Sequence, residues 1–152
     1  MNKYLYLLLI SFTFSQSISD YGYTGAQVSA MAGAVVSEQG DAWSIFHNPA
    51  GLADLDNRYF SAGGGNLNGF NWLPTYYLIY IMPVAGSGQI GLGFKSFETK
   101  YNEITLSSEQ TISISQGFNL QKDKNSHLAI GYTANFVRWD LGSSAGYSGD
   151  GS

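Results

Sequence analysis

The sequence predicts an all-β fold: an antiparallel up-and-down barrel of the membrane type, incomplete here at about five strands, behind a Gly/Ala-rich hatch of short helical turns. Three observations carry that prediction. From Arg58 onward apolar residues recur with a period of two, which marks strands with unlike faces. The face opposite the apolar one is Ser, Thr, Asn and Gly, where a soluble sheet would show Lys and Glu along its wet side. Charged residues make up only 12% of the chain, against roughly 25% in soluble domains, while aromatics reach 15%.

The first element, residues 1–17, reads as a signal peptide. Lys3 is a minimal positive start, Tyr4 to Phe14 is an apolar run, and the small residues Ser15 and Ser17 follow. The run is too short to cross a hydrocarbon core, which needs about twenty residues. The leader therefore predicts export, and with a barrel behind it the destination is a Gram-negative outer membrane. Loss of Lys3 with the leader leaves six basic against eleven acidic residues, a net charge near −5. That balance argues against nucleic acid as a partner, which calls for basic patches. With no cysteine there are no disulfides, thiolate metal sites or lipid-bearing N-terminal Cys.

Residues 18–57 do not alternate and read as the hatch. Gly25 to Ala32 and Asp41 to Phe46 each suit a turn or two of helix, the second with Asp41 as its N-cap. Asn48 precedes Pro49, which pushes it out of the helical region and ends that turn. Pro49 then opens another short turn through Ala53, capped by the Asn48 side chain. The segment is too weakly apolar to span a membrane and too short to form its own core, so the barrel lumen is the cover it must find.

Residues 58–141 read as five strands: 58–67, 75–84, 89–97, 111–120 and 127–139. In the fifth, Leu128, Ile130, Tyr132, Ala134 and Phe136 share one face, and Ala129, Gly131, Thr133 and Asn135 the other. The fourth repeats the scheme, with Gln116 interrupting its apolar face. The second is apolar on both faces, one toward lipid and the other toward the hatch or an apolar ligand. Connectors alternate between short (85–88 and 121–126) and long (66–74 and 98–109), as expected of periplasmic turns and extracellular loops. Five strands cannot close a barrel, since the smallest membrane barrels have eight. The chain is thus expected to be the N-terminal part of a longer protein, with 142–152 the start of a further extracellular loop.

Single residues add little chemistry. No catalytic constellation, metal-ligand spacing or cofactor motif emerges, so no enzyme is predicted. His47 reads as a locally hydrogen-bonded corner residue and His127 as a neighbour of the second turn. Lys95, Tyr77, Ile79 and Ile81 fall on the lumen side. There Lys95 would meet a ligand carboxylate, an acidic hatch residue (Glu38 or Asp41) or solvent. Trp72, Tyr76, Arg138 and Trp139, near loop ends, fit a membrane-interface girdle. The Gly63-Gly64-Gly65 run reads as a flexible strand end, a close approach of the hatch, or a kink in the wall.

The stretch AMAGAVVSEQGDAWSIFHNPAGLA, Ala30 to Ala53, resembles the N-terminal signature of the long-chain fatty-acid transporter (FadL-type) superfamily of outer-membrane barrels. That group includes PorV/PorQ-like relatives serving type IX protein secretion. The resemblance is strong over about two dozen residues, and the strand pattern extends it through residue 140. It implies that Asn48, Pro49 and Ala50 lie in the hatch. It further implies passive passage of hydrophobic compounds such as long-chain fatty acids, or else the binding of a secretion-system subunit or cargo. A purely structural surface barrel is the third expectation.

Overall fold

The computed structural model describes residues 24–142 except 87, 103 and 125. The predicted signal peptide, the start of the hatch and nearly all of the predicted loop 142–152 lie outside the described residues. Within them the chain forms one five-stranded antiparallel sheet in simple order: β1 (Tyr59–Asn66), β2 (Pro74–Val84), β3 (Gly88–Tyr101), β4 (Ile104–Lys122) and β5 (His127–Asp140). Against one face lie two 3₁₀ turns, Ala42–Phe46 and Pro49–Asp54, preceded in the chain by a helical turn, α1 (Ala26–Ala30). No helix among the described residues is long and apolar enough to cross a membrane.

The all-β, antiparallel, up-and-down arrangement agrees with the sequence reading, but the connectors need correcting. The long loop expected at 98–109 is strand instead. β3 runs on to Tyr101 and β4 begins at Ile104, giving strands of 14 and 19 residues. Thr99, Tyr101, Ile104 and Thr105 favour extended backbone, which outweighs the polar composition that suggested a loop. A bulge near Thr99 and Lys100 twists this hairpin. Its tip reaches about four residues, roughly 13 Å, past the level of Pro74. At the opposite end β4 continues five residues beyond Gly117, the partner of Gln89 near the β2–β3 turn, and β5 four beyond its own partner Gly131. Such a progressive stagger is what tilted strands produce.

The two faces of the sheet are inverted relative to a soluble protein. Ser113 and Ser115 are each 1% exposed, whereas Tyr132 and Phe136 on the other face are 59% and 60% exposed. Cross-strand rows on the outer face read Phe60, Tyr80, Leu92, Ile114, Ala134 and then Ala62, Leu78, Phe94, Ile112, Phe136. Gln116 breaks the apolar face of β4, and the hydroxyl of Tyr132 on β5 donates to its side-chain oxygen. The break is thereby satisfied within the sheet.

Candidate functional site: the hatch–sheet junction

The concave face is read most directly from its cross-strand rows. One row is Ile81, Gly91, Ser115, Thr133 and the next is Ile79, Gly93, Ser113, Asn135. Large apolar residues on β2 thus give way to glycine on β3, hydroxyls on β4, and a hydroxyl and an amide on β5. The hatch occupies the trough. Ile45, Leu52 and Leu55 form a buried cluster with Ile79 and Ile81, and Ala42, Trp43 and Phe46 pack against it. Both Ile79 and Ile81 are 0% exposed. The second apolar face of β2 therefore meets the hatch itself.

The Asn-Pro-Ala corner sits where the sheet is thinnest. A Cβ on Gly117 would collide with the carbonyl oxygen of Pro49, and one on Gly131 with the Pro49–Ala50 peptide. Glycine at these two wall positions lets the hatch backbone lie directly on the sheet. Locally the turn before the corner is started by Asp41, whose carboxylate accepts from the Trp43 N–H at 3.1 Å and satisfies one of its free donors. Pro49 then opens the second turn, with Asn48 at φ −153° and ψ 87°, outside the helical region. One expectation fails here: the Asn48 side chain does not cap that turn. Its amide instead donates to the Val36 carbonyl at 2.6 Å, tying the corner back to the preceding loop.

Helical ends leave carbonyls without partners, and the wall supplies them. The Ser115 hydroxyl donates to the Ile45 carbonyl at 3.2 Å and shares a 2.7 Å hydrogen bond with Thr133. The Asn119 amide donates to the Ala53 carbonyl at 3.2 Å and to Asp54 Oδ1 at 3.3 Å. The hydroxyl-and-amide face predicted for the lumen is thus the hydrogen-bonding counterpart of the hatch backbone.

Around Asp54 these contacts become a latch. Lys122 Nζ lies 2.8 Å from Asp54 Oδ1, and His127 Nε2 lies 3.4 Å from Asp54 Oδ2 and 2.6 Å from Asn119 Oδ1. Gln39 reaches His127 Nδ1 at 2.8 Å from the hatch side. Burial pushes the Asp54 carboxyl up, but hydrogen bonds from Lys122 and Asn119, together with nearby positive charge, outweigh it and hold the pKa below the usual range. A register shift between Asn119 and Gln121 makes the latch possible. Strict alternation would turn Lys122 to the face opposite Asn119. The extra residue rephases the strand, so both reach the hatch.

His47 departs from its expected role. Its Nε2 has no hydrogen-bond partner and stands 4.0 Å from Asp41 Oδ2, which also lacks one. Burial pushes the imidazole pKa down against the upward pull of Asp41 and Glu38. The other predicted residues spread along the sheet. Lys95 is half-buried opposite Thr111 and already has an interaction partner. Trp72 and Tyr76 are exposed at the rim, where the Phe70 and Trp72 rings lie 5.2 Å apart and the Lys100 N–H donates to the Trp72 carbonyl. Arg138 follows the outer-face parity of Phe136, beside Gln110. Trp139 alternates to the other face, with Glu109 as its cross-strand neighbour. The four rim residues therefore divide between two faces.

A cavity of about 540 Å³ opens at the other end of the hatch. It lies between α1, Trp43, Tyr77, Thr75 and the triglycine segment of β1. The Trp43 and Tyr77 rings meet edge to face at 6.2 Å. Sequence reading singled out the triglycine and Tyr77 but missed Trp43 and the cavity, because residues 25, 43, 63 and 77 are brought together only by the docked hatch.

Comparison of the chain with protein-family models, curated proteins and solved structures finds no match. No family is shown. Among the described residues no group of three or more acidic or His side chains could hold a metal ion. The site is accordingly defined by packing and hydrogen bonding between hatch and wall.

Proposed function

We propose that this chain forms the N-terminal wall and hatch of an outer-membrane β-barrel that lets hydrophobic compounds, such as long-chain fatty acids, cross passively. The observation that carries the reading is the inverted sheet: aliphatic and aromatic side chains outward and exposed, hydroxyls and glycines inward beneath the hatch. In water, so large an exposed apolar surface would drive aggregation; lipid tails are the surroundings that stabilise it. Along β4 the outward apolar residues run from Ile112 to Leu120, about 26 Å of strand at 3.3 Å per residue, or about 20 Å of depth at a tilt of about 40°, most of the roughly 25 Å band of outer-membrane barrels. The resemblance of Ala30 to Ala53 to the FadL-type signature adds a hatch role for Asn48, Pro49 and Ala50. Uptake of labelled long-chain fatty acid by cells with and without the full-length gene tests the reading, and equal uptake removes it.

A second reading has its own observation. The β3–β4 hairpin extends past the neighbouring strands and carries exposed Tyr101, Ile104 and Leu106. These residues suit contact with another protein, in keeping with a PorV/PorQ-like role in binding secretion subunits or cargo. Co-purification of secretion components with the full-length protein, lost when the hairpin tip is replaced by Asn-Gly, supports this second role. Unchanged co-purification assigns the contact elsewhere.

A further inference from the structure

We propose that a polar stripe inside the hatch works against its docked form, so that the Asn-Pro-Ala corner is held close to release. The device goes beyond the transport reading, because it operates whatever crosses the barrel.

The stripe has a period of three. Glu38, Asp41, Ser44 and His47 follow one another at intervals of three residues. Asp41 is the N-cap, Ser44 the middle and His47 the C-cap of the Ala42–Phe46 turn. Side chains three apart eclipse on a 3₁₀ turn, so these three gather along one side of it. The 4.0 Å between His47 Nε2 and Asp41 Oδ2 agrees with that placement. Each member ends in a buried atom without a hydrogen-bond partner: Glu38 Oε2, Asp41 Oδ2, Ser44 Oγ and His47 Nε2. Among the described residues two other side-chain atoms share that condition, on Gln89 and Thr111 of the wall. Both carboxylates are half used, since Glu38 Oε1 accepts from Gln27 at 2.9 Å and Asp41 Oδ1 from the Trp43 N–H.

Neither water nor charge makes good the deficit in the docked form. All four atoms are sealed from solvent. A Cβ on Gly51, in the facing turn, would lie 2.5 Å from Ser44 Oγ and 3.0 Å from the Glu38 carbonyl, so the space there is closed. Burial holds the His47 pKa down against the pull of Asp41 and Glu38, and at neutral pH the ring neutralises neither carboxylate. Docking therefore removes water from four polar atoms and supplies no bond in its place. Each such atom weighs against the buried form by roughly fivefold to a hundredfold in the equilibrium. In an opened corner the same atoms meet water. What holds the corner shut is the Ile45 packing, the wall hydrogen bonds and the Asp54 latch. Ser115 shows the opposite use of an equally buried serine: its hydroxyl bonds both the Ile45 carbonyl and Thr133. One serine fastens the hatch and the other loosens it.

Hydrogen exchange of peptides spanning 38–55, in the full-length protein in detergent at pH 8, reads opening of the corner. The Asn48 N–H is bonded to the Ser44 carbonyl at 2.8 Å and the Gly40 N–H to the Gly51 carbonyl at 3.0 Å, and both exchange only when it opens. Ser44→Ala is expected to slow this exchange by about fivefold or more, and Ser115→Ala to speed it by about as much. Asp41→Asn keeps the cap through Oδ1 and turns an N–H toward His47, so it too should slow exchange. It repeats the test should Ser44→Ala misfold. Exchange at the wild-type rate or faster in either folded variant overturns the proposal. Fatty-acid uptake is scored apart. Uptake that does not depend on the gene, with exchange slowed as expected, sinks the transport reading and leaves the device. Gene-dependent uptake with unslowed exchange sinks the device alone.

Discussion

The two ends of the hatch meet the same sheet in opposite ways. At the Asn-Pro-Ala end, backbone lies on backbone over Gly117 and Gly131, carbonyls are taken up by Ser115 and Asn119, and Asp54 is latched to Lys122 and His127. At the triglycine end the hatch stands away from the wall and encloses a cavity. The difference teaches that glycine stands in two settings on one face: at one end the hatch backbone presses directly on it, at the other the described hatch residues leave room beside it.

The largest expected effect breaks the tight end. Gly131→Val or Gly117→Val should destabilise the folded protein by about 3 kcal/mol or more, since a backbone collision cannot be relieved by a rotamer change. Gly65→Ala should stay within about 0.5 kcal/mol of wild type or gain slightly. Thermal unfolding in detergent compares them, and equal losses would erase the distinction between the ends. Next, Ile45→Ala should cost about 2–5 kcal/mol through the cavity left beside Ile79 and Ile81, read from the same melts.

Asn48→Ala removes the hydrogen bond to the Val36 carbonyl and should cost about 1 kcal/mol. Asn48→Asp should not restore it, because a carboxylate cannot donate to a carbonyl. Equal stability of the wild type and both variants would show that the corner is held by Pro49 packing alone.

The smallest effects concern pH and sharpen where the hatch lets go. The docked His47 has a pKa below its ordinary 6.5, so near that pH the released hatch binds more protons than the docked one. Docking therefore weakens as pH falls below 6.5, and His47→Gln should remove that limb. Asp54 behaves as a depressed carboxylate: its contribution is present above its ordinary 3.8 and is lost as pH falls through its lower docked value. Asp54→Asn should flatten this acid limb. Protease cleavage of the hatch against pH, in the vesicle-reconstituted full-length protein, follows both limbs.

Much of the wall was legible because period-two alternation is a local property. Leu128 to Phe136 announce their face without knowledge of any other strand. The hatch turns were legible for the same reason, through Asp41 and the Asn48-Pro49 pair. The 98–109 segment misled because Glu, Lys and Asn can end a strand or line a projecting hairpin, and composition does not distinguish the two. The latch was out of reach: Asp54 lies 65 or more residues from its partners Asn119, Lys122 and His127, and a one-residue bulge decides that Lys122 faces it. The cavity was equally hidden, since it is bounded by elements that say nothing of each other until the hatch has docked.

The bulge after Asn119 has one more consequence under the barrel reading. Up to Leu120 every second residue of β4 can rest against hydrocarbon; past it the beat is reset, and Lys122 turns inward beside Asp54. The wall thus carries its own waterline, drawn by a single inserted amino acid. Under that reading, a barrel shifted outward would drag an ion pair and a polar turn into oil, while one shifted toward the periplasm would strip cover from Phe118 and Leu120.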